Sequence, residues 1–414
     1  MLVDLFPPII GGKEGYVSEL SKELFNKGHN VSVVTLNVAS YNLPPRGQSD
    51  GVNIIRISGM FQKIGILYAG SKIRPNLPIK DISLAKQLSG IIQELRPEVI
   101  VCHSNFLYSI RSLAAKRGIP LIVTLHDYGF ICPIGNLLFK HMIPCNKQYS
   151  VACLKCVTST SGVIKAVIGC YLYMMNKSLI ASVDRYIAVS QSVKETFLSA
   201  TGLPADKVNV IYNFHNPNDK QTMPPECMEQ FPDKFILYVG AFSFQKGVYV
   251  LLDAYKNIRE RICPDIKLVL IVASQGAEVC VHEEGILVMV NQPRAVVMEA
   301  WRRCLFGVIP SIWQEPFGIV ALEAMSEGKA LVASAIGGLK EIVVHQVTGL
   351  IVPPGDSVAL GEALTYLVEN RDVVEEYGVN AKARFEECFS ADATVGAYEG
   401  VFQEVVSSVP KDVT

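Results

Sequence analysis

Apolar strands and amphipathic helices alternate along the first half of this chain, and no other feature limits the fold more. Strands are predicted at residues 2–6, 31–36, 99–102, 121–125 and 186–189. Helices are predicted at residues 15–27, 82–95 and 107–116. Apolar strands that are separated by helices are typical of a parallel sheet with helices on both faces. The first half therefore predicts an α/β domain.

The alternation breaks at residues 213–233, where several prolines occur among polar residues, and then it restarts. Strands are predicted again at 235–239, 267–272, 306–309 and 330–333, and helices at 248–258, 294–303, 319–326 and 356–370. A chain of 414 residues is long enough for two ordinary cores. We predict two doubly wound, Rossmann-like domains, 1–213 and 214–389, with a C-terminal helix at 390–408 that completes the first domain.

The predicted sheets also indicate where a ligand binds. Ligands of open parallel sheets lie beyond the carboxyl ends of the strands. Two such domains that face each other form a cleft, which we take as the expected site.

Charge and hydropathy narrow the function classes. The 38 basic and 39 acidic residues leave a net charge of −1, so we expect no binding to nucleic acid. The start of the chain lacks the pattern of a secretory signal, and no segment has the roughly 18 apolar residues of a membrane span. We expect a cytoplasmic protein. The apolar segment 162–175 predicts either a core helix or a helix that lies on the inner face of the membrane.

One segment, residues 311–325, carries the clearest chemical signal. The predicted strand 306–309 leads into a loop with Glu315-Pro-Phe-Gly, and a predicted helix begins at Ile319 and contains Glu323. The first amides of a helix lack internal partners and lie at the positive end of its dipole, so they suit a diphosphate. A carboxylate only accepts hydrogen bonds, so Glu315 and Glu323 suit the hydroxyls of a sugar and a ribose.

The segment resembles the retaining glycosyltransferases of family 4 (glycosyl transferases group 1), whose mark is a pair of glutamates with seven residues between them. The family has the two-domain GT-B fold. The resemblance implies that Glu315 is a catalytic-site residue that holds the donor sugar and that Glu323 holds the nucleotide ribose. It also implies that the donor contacts the backbone amides of four consecutive residues, Phe317, Gly318, Ile319 and Val320.

The resemblance extends to the loops that follow other predicted strands. It implies that Gly12 in the glycine-rich loop and Lys246 in the segment 240–247 bind the donor, and that Asn291 lines the pocket for the base. It implies a catalytic-site role for His126 in Thr124-Leu-His-Asp. Lys13 and Asp127 are the candidates for acceptor contacts. The glycines Gly337 and Gly338 are interpreted as turn residues.

Position 241 departs from the family pattern. Family members commonly carry arginine directly after the glycine of this loop, and this chain has Ala241. A leaving diphosphate needs its charge neutralised as the bond breaks. Arg294, Arg302 and Lys13 are the candidate replacements, and the sequence does not choose among them.

Cys132, Cys145, Cys153 and Cys156 lie close together in the sequence, and Cys153-Leu-Lys-Cys156 has the two-residue gap of a metal knuckle. The spacing allows one structural zinc ion, unligated thiols or a disulfide.

The resemblance as a whole implies transfer of a hexosyl unit from a UDP- or GDP-sugar to a saccharide or lipid-linked acceptor, as in polysaccharide biosynthesis. It implies retention of configuration and no catalytic cofactor or metal. Two alternatives stay open: a catalytically silent subunit that binds a nucleotide sugar, and a sugar-nucleotide epimerase of the same fold.

Overall fold

A computed structural model of the protein describes most of the chain. The described residues are 1–9, 11–65, 74, 76–139, 143–145, 151–161, 167, 169–171, 174, 177–217, 231–261, 265–273, 281 and 283–408. The chain divides into two compact units. The first consists of Met1–Gly135, Lys147–Tyr212 and Ala391–Thr414, and the second of Asn136–Asn146 and Asn213–Ser390.

The first unit contains a mostly parallel sheet. Its parallel strands on one side are, in spatial order, Ile100–Cys102, Leu121–Leu125, Arg185–Ala188 and Val208–Val210. On the other side, Ser32–Leu36 pairs in parallel with Val52–Ile57, which pairs antiparallel with Arg46–Ser49. Leu2 bridges Val34 of one group and Cys102 of the other, so the amino-terminal segment lies at the centre.

The amino-terminal segment is shorter than the predicted strand 2–6. Its ladder bonds run from Met1, whose carbonyl accepts from Val34, to Asp4, whose carbonyl accepts from Leu36. Pro7 and Pro8 follow and have no backbone N–H to continue the ladder. The early end leaves the Asp4 side chain at the carboxyl edge of the sheet.

Helices of the first unit cover both this sheet and its edges. They are Gly12–Asn26, Ile82–Leu95, Leu107–Lys116, Val151–Ser161, Lys177–Ile180, Gln191–Thr201 and Ala391–Ser407. The last of these packs near the first, and the Tyr16 hydroxyl donates a hydrogen bond of 3.3 Å to the Tyr398 hydroxyl. Both tyrosines are buried.

The second unit contains a six-stranded, fully parallel sheet. Its strands, in spatial order, are Ile286–Val290, Ile266–Ala273, Lys234–Ala241, Gly307–Ile309, Leu331–Ser334 and Gly349–Val352. In sequence order within the unit this is 3-2-1-4-5-6, the doubly wound order of dinucleotide-binding domains. The order in which strands are added to the sheet changes direction between Lys234–Ala241 and Gly307–Ile309. This pair of strands is therefore the switch point of the sheet.

Helices of the second unit pack on this sheet around a core of buried aliphatic and aromatic residues. They are Val248–Ile258, Arg294–Arg303, Ile319–Ser326, Leu339–Ile342, Ser357–Glu369 and Arg371–Cys388. A short antiparallel hairpin, Leu138–Phe139 with Ile143–Pro144, is grouped with this unit although it follows the first unit's strands in sequence.

The predicted α/β class and parallel sheets are confirmed, and several helices begin and end where the pattern predicts. Ile82–Leu95, Leu107–Lys116, Val248–Ile258, Arg294–Arg303 and Ile319–Ser326 agree at both ends. Elements that no pattern indicated are Arg46–Ser49, Val52–Ile57, Gln191–Thr201 and Arg371–Cys388. The predicted connection lies mostly outside the described residues, because 218–230 are not described.

Two glycines test how the local environment fixes the effect of an added methyl group. Gly307 lies in a central strand, and a Cβ there meets Trp301 at 2.5 Å and Leu331 at 2.8 Å. We expect Gly307→Ala to lower the free energy of unfolding by about 1–3 kcal/mol through overpacking. Gly90 lies exposed in the helix Ile82–Leu95 with open space around its Cβ position, so Gly90→Ala should raise it by about 0.5–1 kcal/mol. Urea unfolding of each variant against the parent chain measures both, and equal effects would contradict the argument.

Candidate active site

The switch point of the second unit brings together the two loops that carry the predicted donor residues. One loop, 242–247, follows Lys234–Ala241, and the other, 310–318, follows Gly307–Ile309. The Gln245 carbonyl accepts from the Ile312 amide at 2.9 Å and from the Trp313 amide at 3.3 Å. These backbone bonds fix one loop on the other.

Glu315 lies at the junction of these loops, is 6 % exposed, and accepts hydrogen bonds from three side chains. Lys246 Nζ is 3.0 Å from Oε1 and 2.8 Å from Oε2. Ser311 Oγ and Trp313 Nε1 each donate to Oε2 at 3.0 Å. A buried carboxylate needs such donors to remain ionised, because burial alone disfavours the charged form.

The two oxygens of Glu315 differ in what they can still accept. Oε2 accepts from three donors, whereas Oε1 accepts only from Lys246 within the described part of the chain. Lys246 also lies over the Trp313 ring, 5.1 Å from its centroid, so its cation is held from two sides. Oε1 is therefore the oxygen that can accept from the hydroxyls of a ligand.

Gly337 and Gly338, which the sequence analysis interpreted as turn residues, lie against the backbone of the loop that carries Glu315. Gly338 N donates to the Glu315 carbonyl at 2.8 Å. A Cβ on Gly337, whose φ is +56°, would overlap that carbonyl, and one on Gly338 would lie 2.8 Å from Phe317 Cα. Gly337 and Gly338 thus hold the backbone of the Glu315 loop in place.

The helix Ile319–Ser326 begins directly after this loop. Its N-cap is Gly318, with φ +107°, which has no side chain to satisfy the first amides. Phe317 is buried, while Ile319 and Val320 are partly exposed at the start of the helix. The first amides of this helix are therefore placed to face an anion next to Lys246.

Glu323, 5 % exposed in the same helix, is paired with Arg294. Arg294 Nη1 donates to Glu323 Oε1 at 2.8 Å, and Arg294 Nη2 donates to His215 Nδ1 at 3.1 Å. Glu323 Oε2 accepts no hydrogen bond from the described residues, so it is open to the hydroxyls of a ribose. Arg294 thus joins a motif carboxylate to a histidine that the sequence did not indicate.

Burial, and then the charge of Arg294, lower the pKa of His215 to about 3. Because arginine only donates, Nδ1 of His215 must accept, and the proton of the neutral ring is on Nε2. Nε2 is buried and has no partner among the described residues.

The structure separates the three cations that could replace the arginine missing at position 241. Arg294 contacts Glu323 of the motif. Arg302 pairs instead with Glu299 and Glu327 and is 49 % exposed. Lys13 belongs to the first unit. Of the two candidates in the second unit, Arg294 contacts a motif residue, whereas Arg302 contacts Glu299 and Glu327.

Asn291, the predicted residue of the base pocket, directly follows the strand Ile286–Val290. It is exposed, has φ +51°, and donates its amide to the Val272 carbonyl at 2.8 Å.

The first unit holds a second cluster of polar groups at the carboxyl edge of its sheet: Asp4, Lys13, His103 and His126. His103 follows the strand Ile100–Cys102 and His126 follows Leu121–Leu125. His103 Nδ1 lies 2.9 Å from His126 Nε2. Burial, and then Lys13, lower the pKa of His126 to about 3. Burial and then His126 lower the pKa of His103, so both rings are neutral near pH 7.

Asp4 is 5 % exposed, and Asn76 Nδ2 donates to its Oδ1 at 2.9 Å. Burial raises the pKa of Asp4 to about 6, against the opposing effect of Lys13. Gly12 and Lys13 lie in the first turn of the helix Gly12–Asn26, which begins three residues before the predicted start. The glycine-rich segment is thus a helix start rather than an extended loop.

Asp127, the second acceptor candidate, is exposed and accepts from the Gly129 amide at 2.7 Å. This contact shapes the turn after His126. The structure gives no contact between Asp127 and the cluster of Asp4, Lys13, His103 and His126 within the described residues.

A zinc ion at Cys132, Cys145, Cys153 and Cys156 stays a prediction. Cys132, Cys145, Cys153 and Cys156 are all described and none is in a disulfide. No three His, Cys, Asp or Glu side chains in the described residues are grouped so that they could hold a metal ion. Cys153 and Cys156 lie in the helix Val151–Ser161, where Cys156 is 8 % exposed.

The apolar segment 162–175 lies largely outside the described residues. Of its described members, Val167, Tyr171 and Met174 are helical and exposed, at the i, i+4, i+7 spacing of one helix face. Among the helices in the described residues, none has the length and apolarity to cross a membrane. Contact with a membrane surface stays a prediction.

Comparison with known proteins identifies the family. The model described as "Glycosyltransferase Family 4" matches residues 10–219, and the model described as "Glycosyl transferases group 1" matches residues 229–384. This chain belongs to glycosyltransferase family 4. It is 30 % identical to an uncharacterized glycosyltransferase, MJ1607, of Methanocaldococcus jannaschii over 90 % of this chain and 92 % of that one. It is 31 % identical to O-antigen chain mannosyltransferase C of Escherichia coli over 56 % of this chain and 61 % of that one.

A solved structure shares the fold of this glycosyltransferase. Anabaena HepE in complex with UDP-glucose matches with a TM-score of 0.64 at 19 % identity, over 98 % of each chain. The chain therefore has the GT-B fold that the resemblance implied.

Several side chains around Glu315, Glu323 and His126 were not indicated by the sequence. Ser311 and Trp313 lie within the motif string, but nothing in their spacing indicates that they donate to Glu315. His103 could have been found, because it directly follows a predicted strand, as His126 does. His215 lies in the irregular segment after residue 213, where no periodic pattern places a side chain.

His215 gives a testable dependence of stability on pH. Its pKa is lower in the folded protein than the usual value of about 6.5, so the unfolded chain binds the extra proton first. The stability is fully present above about pH 6.5 and is lost as the pH falls toward 3, by up to about 1.4 kcal/mol per pH unit for one proton. We expect His215→Asn, whose amide oxygen can still accept from Arg294, to reduce this slope by about one proton between pH 6 and 4.

Urea unfolding of the parent and the variant at several pH values measures the slopes. Identical slopes for His215→Asn and the parent chain would contradict the assignment.

Proposed function

We propose that this chain transfers a hexosyl unit from a nucleotide-diphosphate sugar to a saccharide or lipid-linked acceptor, with retention of configuration and without a divalent cation. The observation that carries the proposal is the environment of Glu315. A buried carboxylate, held by Lys246, Ser311 and Trp313 with Oε1 open, lies directly before a helix start that has no side-chain cap.

The charges around Glu315 support a diphosphate as the leaving group. Lys246 is 31 % exposed, so it can contact a ligand while it remains within hydrogen-bond distance of Glu315. The start of the helix Ile319–Ser326 adds the positive end of the helix dipole. Together they neutralise developing negative charge without a metal ion, which is how electrostatic catalysis acts in a preorganised site.

Glu323 supports the nucleotide part of the donor. Its Oε2 is open to the 2′- and 3′-hydroxyls of a ribose, and Arg294 donates to its Oε1. The solved HepE complex contains UDP-glucose, which makes UDP-sugars the first donors to test, followed by GDP-sugars. The related protein of Escherichia coli is named O-antigen chain mannosyltransferase C. This name favours a saccharide acceptor in polysaccharide biosynthesis for the present chain.

We further propose that His126 donates a hydrogen bond to the transferred sugar. Its ring is neutral near pH 7, because burial and Lys13 lower its pKa to about 3, so it acts as a donor and not as a cation. Lys13 and Asp127 are the proposed acceptor contacts, and Gly12 lets backbone approach the ligand.

Glu315→Gln tests the proposal. The variant keeps the size of the side chain but loses the charge that pairs with Lys246, so we expect turnover to fall by about 100-fold or more. Sugar transfer with EDTA present measures the rate, and the anomeric proton coupling of the product gives the configuration. Glu362→Gln, an exposed glutamate in the helix Ser357–Glu369, is the matched control and should keep full activity. Full turnover by Glu315→Gln would falsify the assignment.

The absence of arginine at position 241 favours one other function, a subunit that binds a nucleotide sugar without turnover. We propose that Arg294 supplies the missing cation near the nucleotide, which supports an enzyme instead. Hydrolysis of the donor in the absence of acceptor separates the two, because a silent subunit releases no sugar.

Arg294→Gln tests this replacement. We expect the Kd for UDP to rise about 10- to 100-fold, because hydrogen bonds from a charged group contribute about 1.5–3 kcal/mol. Arg302→Gln, in the same helix and paired with surface glutamates, should bind UDP like the parent chain. Arg294→Lys, which keeps the charge beside Glu323, separates loss of the cation from loss of the fold. Calorimetric titration measures all three, and equal Kd values for Arg294→Gln and Arg302→Gln would exclude the role.

A further inference from the structure

We propose that His103 is a positioning residue that fixes the tautomer of His126, so that His126 presents an N–H at Nδ1. The proposal rests on the site that is assigned to His126 above, but the contact between the two rings is a property of the first unit alone. His103 Nδ1 and His126 Nε2 are 2.9 Å apart, and the ring centroids are 5.1 Å apart at an interplanar angle of 34°.

Because both rings are neutral, the 2.9 Å contact between His103 Nδ1 and His126 Nε2 is a hydrogen bond with one proton between the two nitrogens. Burial lowers the pKa of each ring, the neighbouring imidazole lowers that of His103, and Lys13 lowers both. Either His103 donates from Nδ1 and His126 accepts at Nε2, or His126 donates and His103 accepts. A neutral imidazole carries its proton on one nitrogen only, so each choice also fixes the outer nitrogens of the pair.

The outer nitrogen of His103 decides between the two arrangements. His103 is 3 % exposed, and its Nε2 has no hydrogen-bond partner among the described residues. If His103 accepts, its proton is on Nε2, and a buried N–H has no acceptor. If His103 donates, Nε2 carries only a lone pair. Buried N–H groups without partners are rarer than buried acceptors without partners, so the arrangement in which His103 donates is favoured.

The consequence lies on the other side of His126. With Nε2 accepting from His103, the proton of His126 is on Nδ1. Nδ1 makes no hydrogen bond to the described residues, and His126 is partly exposed, so this N–H can reach a ligand. Tyr16 packs edge-on against the same ring, with centroids 5.5 Å apart, and limits its rotation. His126 is thus held as an oriented donor, which suits the oxygen of a sugar.

Two nearly isosteric substitutions isolate the donor of His103. Asparagine places an amide N–H at the position of Nδ1, whereas leucine has the same branched shape without any donor. We expect His126 to carry its proton on Nδ1 in the parent chain and in His103→Asn, and to lose this preference in His103→Leu. In an ¹⁵N-histidine-labelled protein the protonated and bare ring nitrogens resonate far apart, and His126→Gln assigns the signal.

Turnover gives the second readout. We expect His103→Leu to lower kcat about 10-fold or more with an unchanged Kd for UDP, and His103→Asn to keep kcat within a few-fold of the parent. A His126 that carries its proton on Nε2 in the parent chain overturns the proposal, as does a His103→Leu variant that matches His103→Asn in both tautomer and kcat. If no donor sugar is transferred at all, the proposed function fails, while the ¹⁵N spectrum still decides the tautomer.

Discussion

The pairing of buried carboxylates with cations at the switch point of the second sheet is the constraint on which the candidate site depends. Glu315 and Glu323 are 6 % and 5 % exposed, and an ionised carboxylate is costly to bury without donors. Lys246 and Arg294 supply the charge. Among the described residues, Glu315 Oε1 accepts only from Lys246, and Glu323 Oε2 accepts no hydrogen bond, so both oxygens can still accept. A ligand with hydroxyl groups can therefore bind without a rearrangement of either ion pair. Buried pairs of this kind add little net stability, which suggests that they are kept for the ligand.

The scaffold around these pairs is arranged to keep them in place. The carboxyl ends of neighbouring parallel strands deliver both loops to one edge, and the Gln245 carbonyl bonds them together. Gly337 and Gly338 allow a third loop to touch the backbone at Glu315, where any side chain would collide. Backbone contacts thus hold the loop that carries Glu315, and they require glycine at positions 337 and 338. This arrangement agrees with membership of a family that transfers sugars.

The polar cluster of the first unit is built differently from the ion pairs of the second unit. Its polar cluster contains two neutral histidines, a lysine and an aspartate whose pKa burial raises to about 6. No ion pair between them is found in the described residues, and the orientation of His126 depends on one hydrogen bond and one ring contact. The two neutral imidazoles of this cluster suit recognition of uncharged hydroxyls, while Lys246 and Arg294 of the second unit suit a diphosphate nucleotide.

The sequence by itself determined the fold class, the helices with strong 3.6-residue periodicity, and the candidate residues that follow strands, such as Lys246, Glu315 and His126. The fold class and the helices follow from local pattern, whereas the roles of these residues follow from the resemblance to glycosyltransferase family 4. Only the tertiary structure decided which cation accompanies Glu323, because Arg294, Arg302 and Lys13 are equivalent in the sequence. It also decided that His103 contacts His126 from 23 residues away. Such contacts depend on how strands and helices pack, which local periodicity does not specify.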